Sequence, residues 1–274
     1  MHATDLRTVF ETILPNKVLM DIVEKAGFQE RTRKLDALRF LRAMIIAAAT
    51  GFGGRQADVM RLYFESGAAH VVRGAFYTWF GCELETAMVA IKDLALTYVK
   101  AQEPDLRGWI GRHVSDWVIV DSMTVKIDNS LKNTYMGTGD YAAVKIHKHY
   151  SVGIGACVEY HLSPARDHDS LHLTIDESWK LKGVLIDLAY ASNKFIRSCN
   201  KHSASYVIRL KENWKPKVEQ IVVGTVVGKF IKGTGLDVCI NNNIILLDGK
   251  VLDMDVRIGK GPHSVVCRLV AVPT

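Results

Sequence analysis

Two aspartates in this sequence stand directly after short apolar runs that are typical of buried strands. Asp121 follows the run Trp117–Val120, and Asp187 follows Gly183–Ile186. A run of this kind indicates a strand covered on both faces, and open α/β sheets place their sites at such strand ends. Two carboxylates there offer the oxygen ligands that Mg²⁺ or Mn²⁺ prefers. The alternative is that each Asp begins an ordinary turn after its strand.

The chemistry open to such a pair of carboxylates is metal-dependent phosphoryl transfer. Two divalent ions about 4 Å apart activate a water or a 3′-hydroxyl and stabilise the leaving oxygen. Asp187 comes 66 residues after Asp121, so only folding brings the two together. The elements around them must therefore supply neighbouring strands.

The chain divides into a helical part and a part with extended texture. Up to about residue 112, apolar residues recur at helical spacing. From Val114 the pattern predicts a mixed α/β layer. Its elements, in order, are a strand at Trp117–Val120, a hairpin at Lys145–Leu162, a helix at His168–Leu181, a strand at Gly183–Ile186, a helix at Asn193–Lys201 and a strand at Tyr206–Leu210.

Beyond Trp214 the pattern predicts strands without helices. Glycines and turn residues separate three apolar pieces, which are Ile221–Phe230, Val238–Leu247 and Val265–Val272. Asp248-Gly249 is typical of a two-residue hairpin turn, here between Ile244–Leu247 and Val251-Leu252. The last part of the chain is therefore predicted to be rich in β-structure.

The composition indicates a soluble protein with a mild excess of positive charge. Lys and Arg number 35 against 29 Asp and Glu, and the net charge of +6 favours a polyanionic partner. Five cysteines form no CxxC pair, which argues against a disulfide framework or a structural zinc site. The N-terminus does not resemble a signal peptide, and the most apolar run, Ala43–Ala49, is far shorter than the roughly 20 residues of a membrane helix. We therefore predict a cytoplasmic protein without a membrane span.

Basic residues cluster after the second aspartate. The segment Asn193–Lys217 contains Lys194, Arg197, Lys201, Arg209, Lys211, Lys215 and Lys217. This cluster fits a track along a DNA backbone or, alternatively, a solvated charged face. Trp214 is a candidate for base stacking or for a packed loop anchor. The same two alternatives, DNA contact or charged face, apply to Arg31, Arg33, Lys34, Arg39 and Arg42.

Other polar residues near the two aspartates have mainly structural interpretations. Lys145 and His147 share one strand face and either touch a phosphate or lie on a solvated hairpin. Asp116 is expected to face solvent. Asp128 and Asp140 are expected to flank a turn-rich loop, and His168-Asp169 to begin a helix.

Four segments, which occur along the chain in the order typical of the family, resemble the IS4-like DDE transposases. Val118–Ser122 resembles the first catalytic Asp motif of that family, and Leu185–Ser192, in which Tyr190 comes three residues after Asp187, resembles the second. The two further segments are Lys145–His147 with Leu162–Asp169, which resembles the hairpin that follows the first motif, and Tyr206–Asn213, which resembles the strand after the second. Arg73–Phe80 is similar to the family's segment before the catalytic core.

The resemblance implies a DNA-joining enzyme with an RNase H-like mixed sheet core. Its expected regions are a helical DNA-binding region at 1–113, a partial core at 114–213 and a β-rich insertion at 214–274. Asp121 and Asp187 would be catalytic and would hold two Mg²⁺ or Mn²⁺ ions. Double-stranded transposon ends are the expected partner, and a homodimer is the expected assembly. The predicted DNA contacts are Lys145, His147, Tyr190, Arg197, Lys211 and Lys215.

The sequence departs from this family at the third carboxylate, a Glu on a late helix. Glu212 lies one position too early for the family spacing, and no Glu follows Glu219. We therefore expect a chain that is truncated within or just after the insertion and is deficient in catalysis. One alternative is a non-enzymatic DNA-binding remnant that inhibits a full-length relative. Another is a nuclease whose third carboxylate is Glu159 or Glu177.

Overall fold

The computed structural model describes residues 12, 14–28, 35–50, 55–106 and 108–272. Contacts along the chain define two compact units, Met1–Gln102 and Glu103–Thr274. Within the described ranges, no helix is both long and apolar enough to cross a bilayer. The expectations that rest on Arg31, Arg33 and Lys34, and on the terminal Pro273-Thr274, fall outside the described residues.

The first unit is helical, as predicted. Its described helices are α1 Asn16–Lys25, α2 Ala37–Ala49, α3 Gln56–Glu65, α4 Arg73–Tyr77 and α5 Cys82–Lys100. Helix α2 begins where the Asp36 side chain accepts a hydrogen bond from the backbone N–H of Arg39 at 3.1 Å, which is a typical N-cap. Phe40 lies at the centre of this core, and its ring contacts Tyr63 and Phe76 at centroid distances of 6.2 and 5.2 Å. Packing of this aromatic cluster holds α2, α3 and α4 together.

The second unit contains the predicted mixed α/β sheet. Its strands are β1 Asp116–Lys126, β2 Ala143–Ser151, β3 Ala156–Pro164, β4 Lys182–Ile186 and β5 Ser205–Val207, in the spatial order β3-β2-β1-β4-β5. β1, β2 and β3 are antiparallel neighbours, whereas β4 lies parallel to both β1 and β5. Helix α6, Asn193–Lys201, connects β4 to β5 and has the predicted bounds. The central strand of this sheet is therefore the one that carries Asp121.

A second, three-stranded sheet follows in the chain. Its strands are β6 Lys217–Val223, β9 Leu252–Ile258 and β10 Val265–Ala271, while β7 Thr225–Val226 pairs with β8 Ile245–Leu246. Buried residues of β9, such as Met254 and Val256, belong to the same apolar core as Val118 and Val184 of the first sheet. The β-rich region thus packs with the core that carries the two aspartates.

Two predictions about the C-terminal strands were wrong, and one strand was missed. The prediction of strands without helices fails because α7, Leu236–Asn241, forms within the region. Its residues Leu236 and Cys239 are buried and fall on one helical face, a spacing that the strand interpretation overlooked. Asp248-Gly249 does not join a hairpin, since β8 pairs with β7 and β9 pairs with β6 and β10. Strand β9 itself was not predicted beyond its first residue.

The predicted helix at His168–Leu181 was also wrong. The segment contains only two short 3-10 turns, Asp169–Leu171 and Glu177–Trp179. The side chain of Asp176 accepts a hydrogen bond from the backbone N–H of Ser178, which starts a separate turn. Short polar side chains that bind the backbone in this way compete with a continuous helix.

One face of the five-stranded sheet carries apolar side chains that are exposed. The register places Ile119 beside Leu185, and Leu185 beside Val207. Ile119 is 40% exposed and Val207 is 55% exposed. Asp121 lies on this face, because residues two apart on a strand point the same way, whereas Ser122 points to the buried face. The first predicted catalytic residue therefore stands at an apolar, accessible surface.

Gly183 is a position where we expect a side chain to be costly. A Cβ atom there would lie 2.3 Å from Cε3 of Trp117, which crosses over Gly183 from the neighbouring strand. We expect Gly183→Val to lower the free energy of unfolding by about 1–3 kcal/mol, as overpacking does elsewhere. Thermal or urea denaturation measures this loss. In a Trp117→Ala background the same substitution should cost less, and strictly additive effects would contradict the proposed clash.

Candidate active site

The fold brings Asp121 and Asp187 side by side. The parallel pairing of β1 with β4 ends at the pair Val120–Ile186. The two aspartates are the next residues on these neighbouring strands, which in a sheet lie about 4.8 Å apart. The sequence predicted that strand β1 ends just before Asp121. The strand instead continues to Lys126 as the partner of β2. The position of Asp121 is thus the point where β1 loses its parallel neighbour, and this leaves room beside the two carboxylates.

Each of the two carboxylates is held by a backbone N–H group and remains exposed. Oδ1 of Asp121 accepts a hydrogen bond from the N–H of Ser122, and Oδ1 of Asp187 accepts one from the N–H of Ala189, both at 2.8 Å. Within the described ranges, neither carboxylate forms an ion pair with a Lys or Arg. Two oriented, exposed and uncompensated carboxylates fit a divalent cation such as Mg²⁺ or Mn²⁺.

The acidic candidates for a third ligand have other partners. Glu159 lies 3.5 Å from Nδ1 of His149, and Glu177 lies 3.3 Å from Nδ1 of His202. Glu219 in β6 pairs with Arg257 at 2.7 Å. The structure therefore gives no support to any of these residues as the third carboxylate.

A carboxylate that the sequence interpretation underrated, Asp169, lies next to both strand ends. Its Oδ1 accepts a hydrogen bond from the Ser122 hydroxyl at 2.9 Å and forms an ion pair with Nζ of Lys145 at 3.1 Å. Burial raises the pKa of Asp169, but the hydrogen bonds from Ser122 and Lys145, together with the positive charge of Lys145, outweigh it and leave the pKa below its usual value. Asp169 is therefore a charged, partly buried residue that contacts both β1 and β2. The motif His168-Asp169 was noted in the sequence. Because this motif was placed at the start of a helix, the contacts of the Asp169 side chain with Ser122 and Lys145 were not predicted.

Tyr190 follows the second aspartate by three residues and lies close to Asp169. Its side chain is buried, and its hydroxyl lies 3.3 Å from Nδ1 of His147. Burial raises the pKa of Tyr190 to about 12, and the negative charges of Asp169, Asp121 and Asp187 add to this shift although a hydrogen bond with Ser122 opposes it. The phenol thus remains a neutral hydrogen-bonding group in the field of the three carboxylates.

Three of the residues that were predicted to contact DNA are instead buried or largely buried. His147 is fully buried and Tyr190 is 2% exposed. Lys145 is largely buried, and its Nζ donates to the backbone carbonyl of Asp167 at 2.7 Å in addition to its ion pair with Asp169. These contacts are at odds with the predicted role of Lys145, His147 and Tyr190 in binding phosphate. The solvated hairpin that was the alternative is equally excluded for His147.

Three histidines form a stack beside Asp169. The His147 ring lies 4.5 Å from that of His161 and 4.4 Å from that of His172, with interplanar angles of 12° and 28°. Among the described residues, these three form the group close enough to share one metal ion. Nearly parallel rings, however, cannot all point a nitrogen at a common ion, since a bound metal lies in the plane of each imidazole. As it stands, the stack is a packing arrangement.

Both ring nitrogens of His147 have a hydroxyl partner. Nε2 lies 2.9 Å from the Ser163 hydroxyl, and Nδ1 lies 3.3 Å from the Tyr190 hydroxyl. Burial, together with the neighbouring His172 and His161, lowers the pKa of His147 to about 4, so the ring is neutral at physiological pH.

The neutral His147 ring predicts a loss of stability in mild acid. Between about pH 6.5 and 4 the unfolded chain binds a proton that the folded chain excludes. The free energy of unfolding should therefore fall with falling pH in this window, by up to about 1.4 kcal/mol per pH unit from this one group. Urea denaturation from pH 7 to pH 4 measures the slope. His147→Gln should flatten it, and an unchanged slope in the variant would contradict the assignment.

The remaining basic candidates differ in their availability. Lys194 and Lys201 of α6 are exposed, and Arg197 between them donates to the His263 carbonyl at 2.6 Å. The further members of the C-terminal cluster that are at least partly exposed are Arg209, Lys211, Lys215 and Lys217. In the helical unit, Arg39 pairs with Asp36 at 2.8 Å, and Arg42 donates to Asn16. The best-defined cationic surface in the second unit is therefore the α6 stripe, which consists of Lys194, Arg197 and Lys201.

The other polar candidates have structural roles. Asp116 is buried rather than solvent-facing, because its Oδ1 accepts a hydrogen bond from the N–H of Gly153 at 3.0 Å. Asp128 caps a turn through the N–H of Ser130, and Asp140 pairs with Lys132. Trp214 is partly buried against the apolar core, which favours the loop anchor over base stacking.

Comparison with known families identifies the domain that carries these residues. A family model described as a transposase DDE domain matches residues 112–255, just over half of the chain. The matched range includes both aspartates, Asp169 and the stretch of α6. No curated protein matches the chain. The match supports the expected RNase H-like core for the five-stranded mixed sheet.

Proposed function

The chain belongs to the transposase DDE domain family, and on this premise we propose that it is an IS4-like transposase whose Asp121 and Asp187 serve metal-dependent phosphoryl transfer at transposon ends. The observation that carries the proposal is the parallel register of β1 and β4, which sets the two aspartates side by side. A turn role alone would not require both carboxylates to be exposed at one edge without a cationic partner.

The two aspartates would hold Mg²⁺ or Mn²⁺, with two ions expected. Such ions, when bound, activate the attacking hydroxyl and stabilise the leaving oxygen. The protein's own contribution is orientation. The N–H groups of Ser122 and Ala189 each hold one carboxylate oxygen, so the second oxygen of each side chain would be the one offered to an ion.

The third carboxylate would come from an element that covers the exposed apolar face. Ile119, Leu185 and Val207 on this face are suited to the apolar side of a helix, and Asp121 shares the face with them. A helix packed there would bring its own side chains next to Asp121. We accordingly expect the described residues to be catalytically deficient without such a helix.

The proposed partner is double-stranded DNA at the transposon ends, and the proposed assembly is a homodimer. The α6 stripe, together with Lys211 and Lys215, would follow the phosphate backbone near Asp187. Phosphate contacts of this kind position a protein on DNA without reading its sequence. Arg197 remains in this set, whereas Lys145, His147 and Tyr190 do not.

A strand-transfer assay tests the function. The chain is incubated with Mg²⁺, a duplex that carries the inverted repeat flanking its own gene, and a target plasmid. The same reaction is repeated with a synthetic helix from a related transposase that carries the family Glu. We expect cleavage and joining only in the supplemented reaction, and their loss when Asp121→Asn replaces the wild-type chain. Cleavage that survives this substitution would contradict the assigned site.

The second candidate function is a DNA-binding remnant that competes with a complete transposase. It is favoured by the separate partners of Glu159, Glu177 and Glu219, because each of these three glutamates is already engaged by a His or an Arg. A remnant binds transposon ends and inhibits joining by a full-length relative. If the supplemented reaction stays inactive while binding is intact, this second function replaces the first.

A further inference from the structure

Asp169 is linked to Asp121 through Ser122, the residue that holds the Asp121 carboxylate. The N–H of Ser122 binds Oδ1 of Asp121, and the hydroxyl of the same Ser122 binds Oδ1 of Asp169. One residue thus contacts a carboxylate on each face of the sheet. Any rotation of β1 that releases the Ser122 hydroxyl would also move the N–H group that orients Asp121.

The second aspartate is attached to the same cluster in a similar way. Its carboxylate accepts from the N–H of Ala189, and the next residue is Tyr190. The Tyr190 hydroxyl is held by His147, which is fixed in turn by Ser163. The loop after β4 is therefore anchored within one residue of the group that orients Asp187.

The cluster is balanced in charge, which allows it to be partly buried. Lys145 compensates Asp169 at 3.1 Å, and their side chains are only 12% and 16% exposed. His147 lies 3.8 Å from Asp169 and is neutral. A paired and hydrogen-bonded carboxylate of this kind is firmly located, because moving it would leave Lys145 as an uncompensated buried charge.

We propose that Asp169 is a positioning residue that sets the orientation of the metal-binding Asp121, acting on it through Ser122. This role rests on the proposed function, since it concerns the same metal site. Residues that orient metal ligands from outside typically change metal affinity 10- to 100-fold when they are replaced. Asp169 itself points to the buried face and is not a ligand.

The test uses Mn²⁺ alone and the full 274-residue chain. Free Mn²⁺ is measured by electron paramagnetic resonance for the wild type, Ser122→Ala and Ser122→Thr, with the melting temperature recorded for each. Ser122→Ala removes the link to Asp121 but keeps the Asp169–Lys145 pair, so the chain should still fold. We expect its Mn²⁺ affinity to fall about tenfold with a nearly unchanged melting temperature. Ser122→Thr keeps the hydroxyl and should restore the affinity.

Asp167→Asn is the matched control. Asp167 is two residues away and contacts His172 at 3.3 Å, but it does not contact Ser122. Its replacement should leave the Mn²⁺ affinity unchanged. An unchanged affinity in Ser122→Ala, or equal losses in Ser122→Ala and Asp167→Asn, would overturn the positioning role alone. No Mn²⁺ binding by the wild-type chain would instead overturn the proposed metal site, and this role with it.

Discussion

Replacing Asp121 with Asn is expected to lower the affinity of the chain for Mn²⁺ by roughly a hundredfold or more, and Asp187→Asn is expected to do the same. Each substitution removes one negative charge and one oxygen ligand from an edge where, among the described residues, no cation pairs with either aspartate. The loss should exceed that of Ser122→Ala, because the ligand itself is changed and not merely its orientation. Electron paramagnetic resonance of free Mn²⁺ measures both variants on one scale.

The same two substitutions should leave stability unchanged or slightly higher. Asp121 and Asp187 are exposed like charges on adjacent strands, so a neutral amide relieves their repulsion. A lower melting temperature would indicate that the carboxylates serve the fold instead. Asp128→Asn is the control, since Asn can cap the same turn and Asp128 lies beyond the end of β1. An Asp121→Asn variant with wild-type Mn²⁺ affinity would contradict the assigned metal site.

The sequence was sufficient for the elements that carry strong local signals. The apolar runs before Asp121 and Asp187 formed strands, the hairpin formed β2 and β3, and α6 had its predicted bounds. In each case the pattern of apolar residues and the flanking turn residues agree on one structure. The pairing of the two aspartates also follows from local reasoning, once both strands are assumed to lie in one sheet.

The sequence was insufficient where a residue's role depends on which face it occupies. Lys145 and His147 share a strand face, as predicted, but nothing local says that this face is the interior. Asp169 follows a hairpin and begins a 3-10 turn, so its direction depends on contacts with Ser122 of β1 and Lys145 of β2. A buried polar cluster is stabilised by partners that are distant in the chain. Because its members are polar, the hydrophobicity pattern predicts that they lie on the surface.

The end of the chain shows a different limit. The segment around Val238 is equally apolar as a strand or as one turn of helix, and short apolar runs do not distinguish the two. Burial of Leu236 and Cys239 against the core decides for the helix. For the candidate site this error had no consequence, because the α7 region supplies none of the residues that meet at Asp121 and Asp187.

Replacing the three cations of α6 is expected to weaken DNA binding by roughly 10²- to 10³-fold at low salt. Lys194, Arg197 and Lys201 follow one another at intervals of three and four residues, so they lie along one side of the helix, while Phe195 and Ile196 on the other side are buried. Changing all three to Gln keeps the helix but removes three phosphate contacts. The slope of log affinity against log salt should shrink by about 2.7, because each contact contributes about 0.9.

Fluorescence anisotropy with a 30-base-pair duplex between about 50 and 200 mM KCl measures both quantities. The matched control changes Lys229, Lys232 and Lys250 to Gln, which alters the net charge equally but at exposed positions of the β-rich region. If DNA follows α6, the control retains most of the affinity and most of the slope. If both triple variants lose affinity equally, net charge rather than a defined track attracts the DNA, because a track requires phosphates to meet particular side chains. That result would remove α6 from the proposed interface while leaving the metal site at Asp121 and Asp187 untouched.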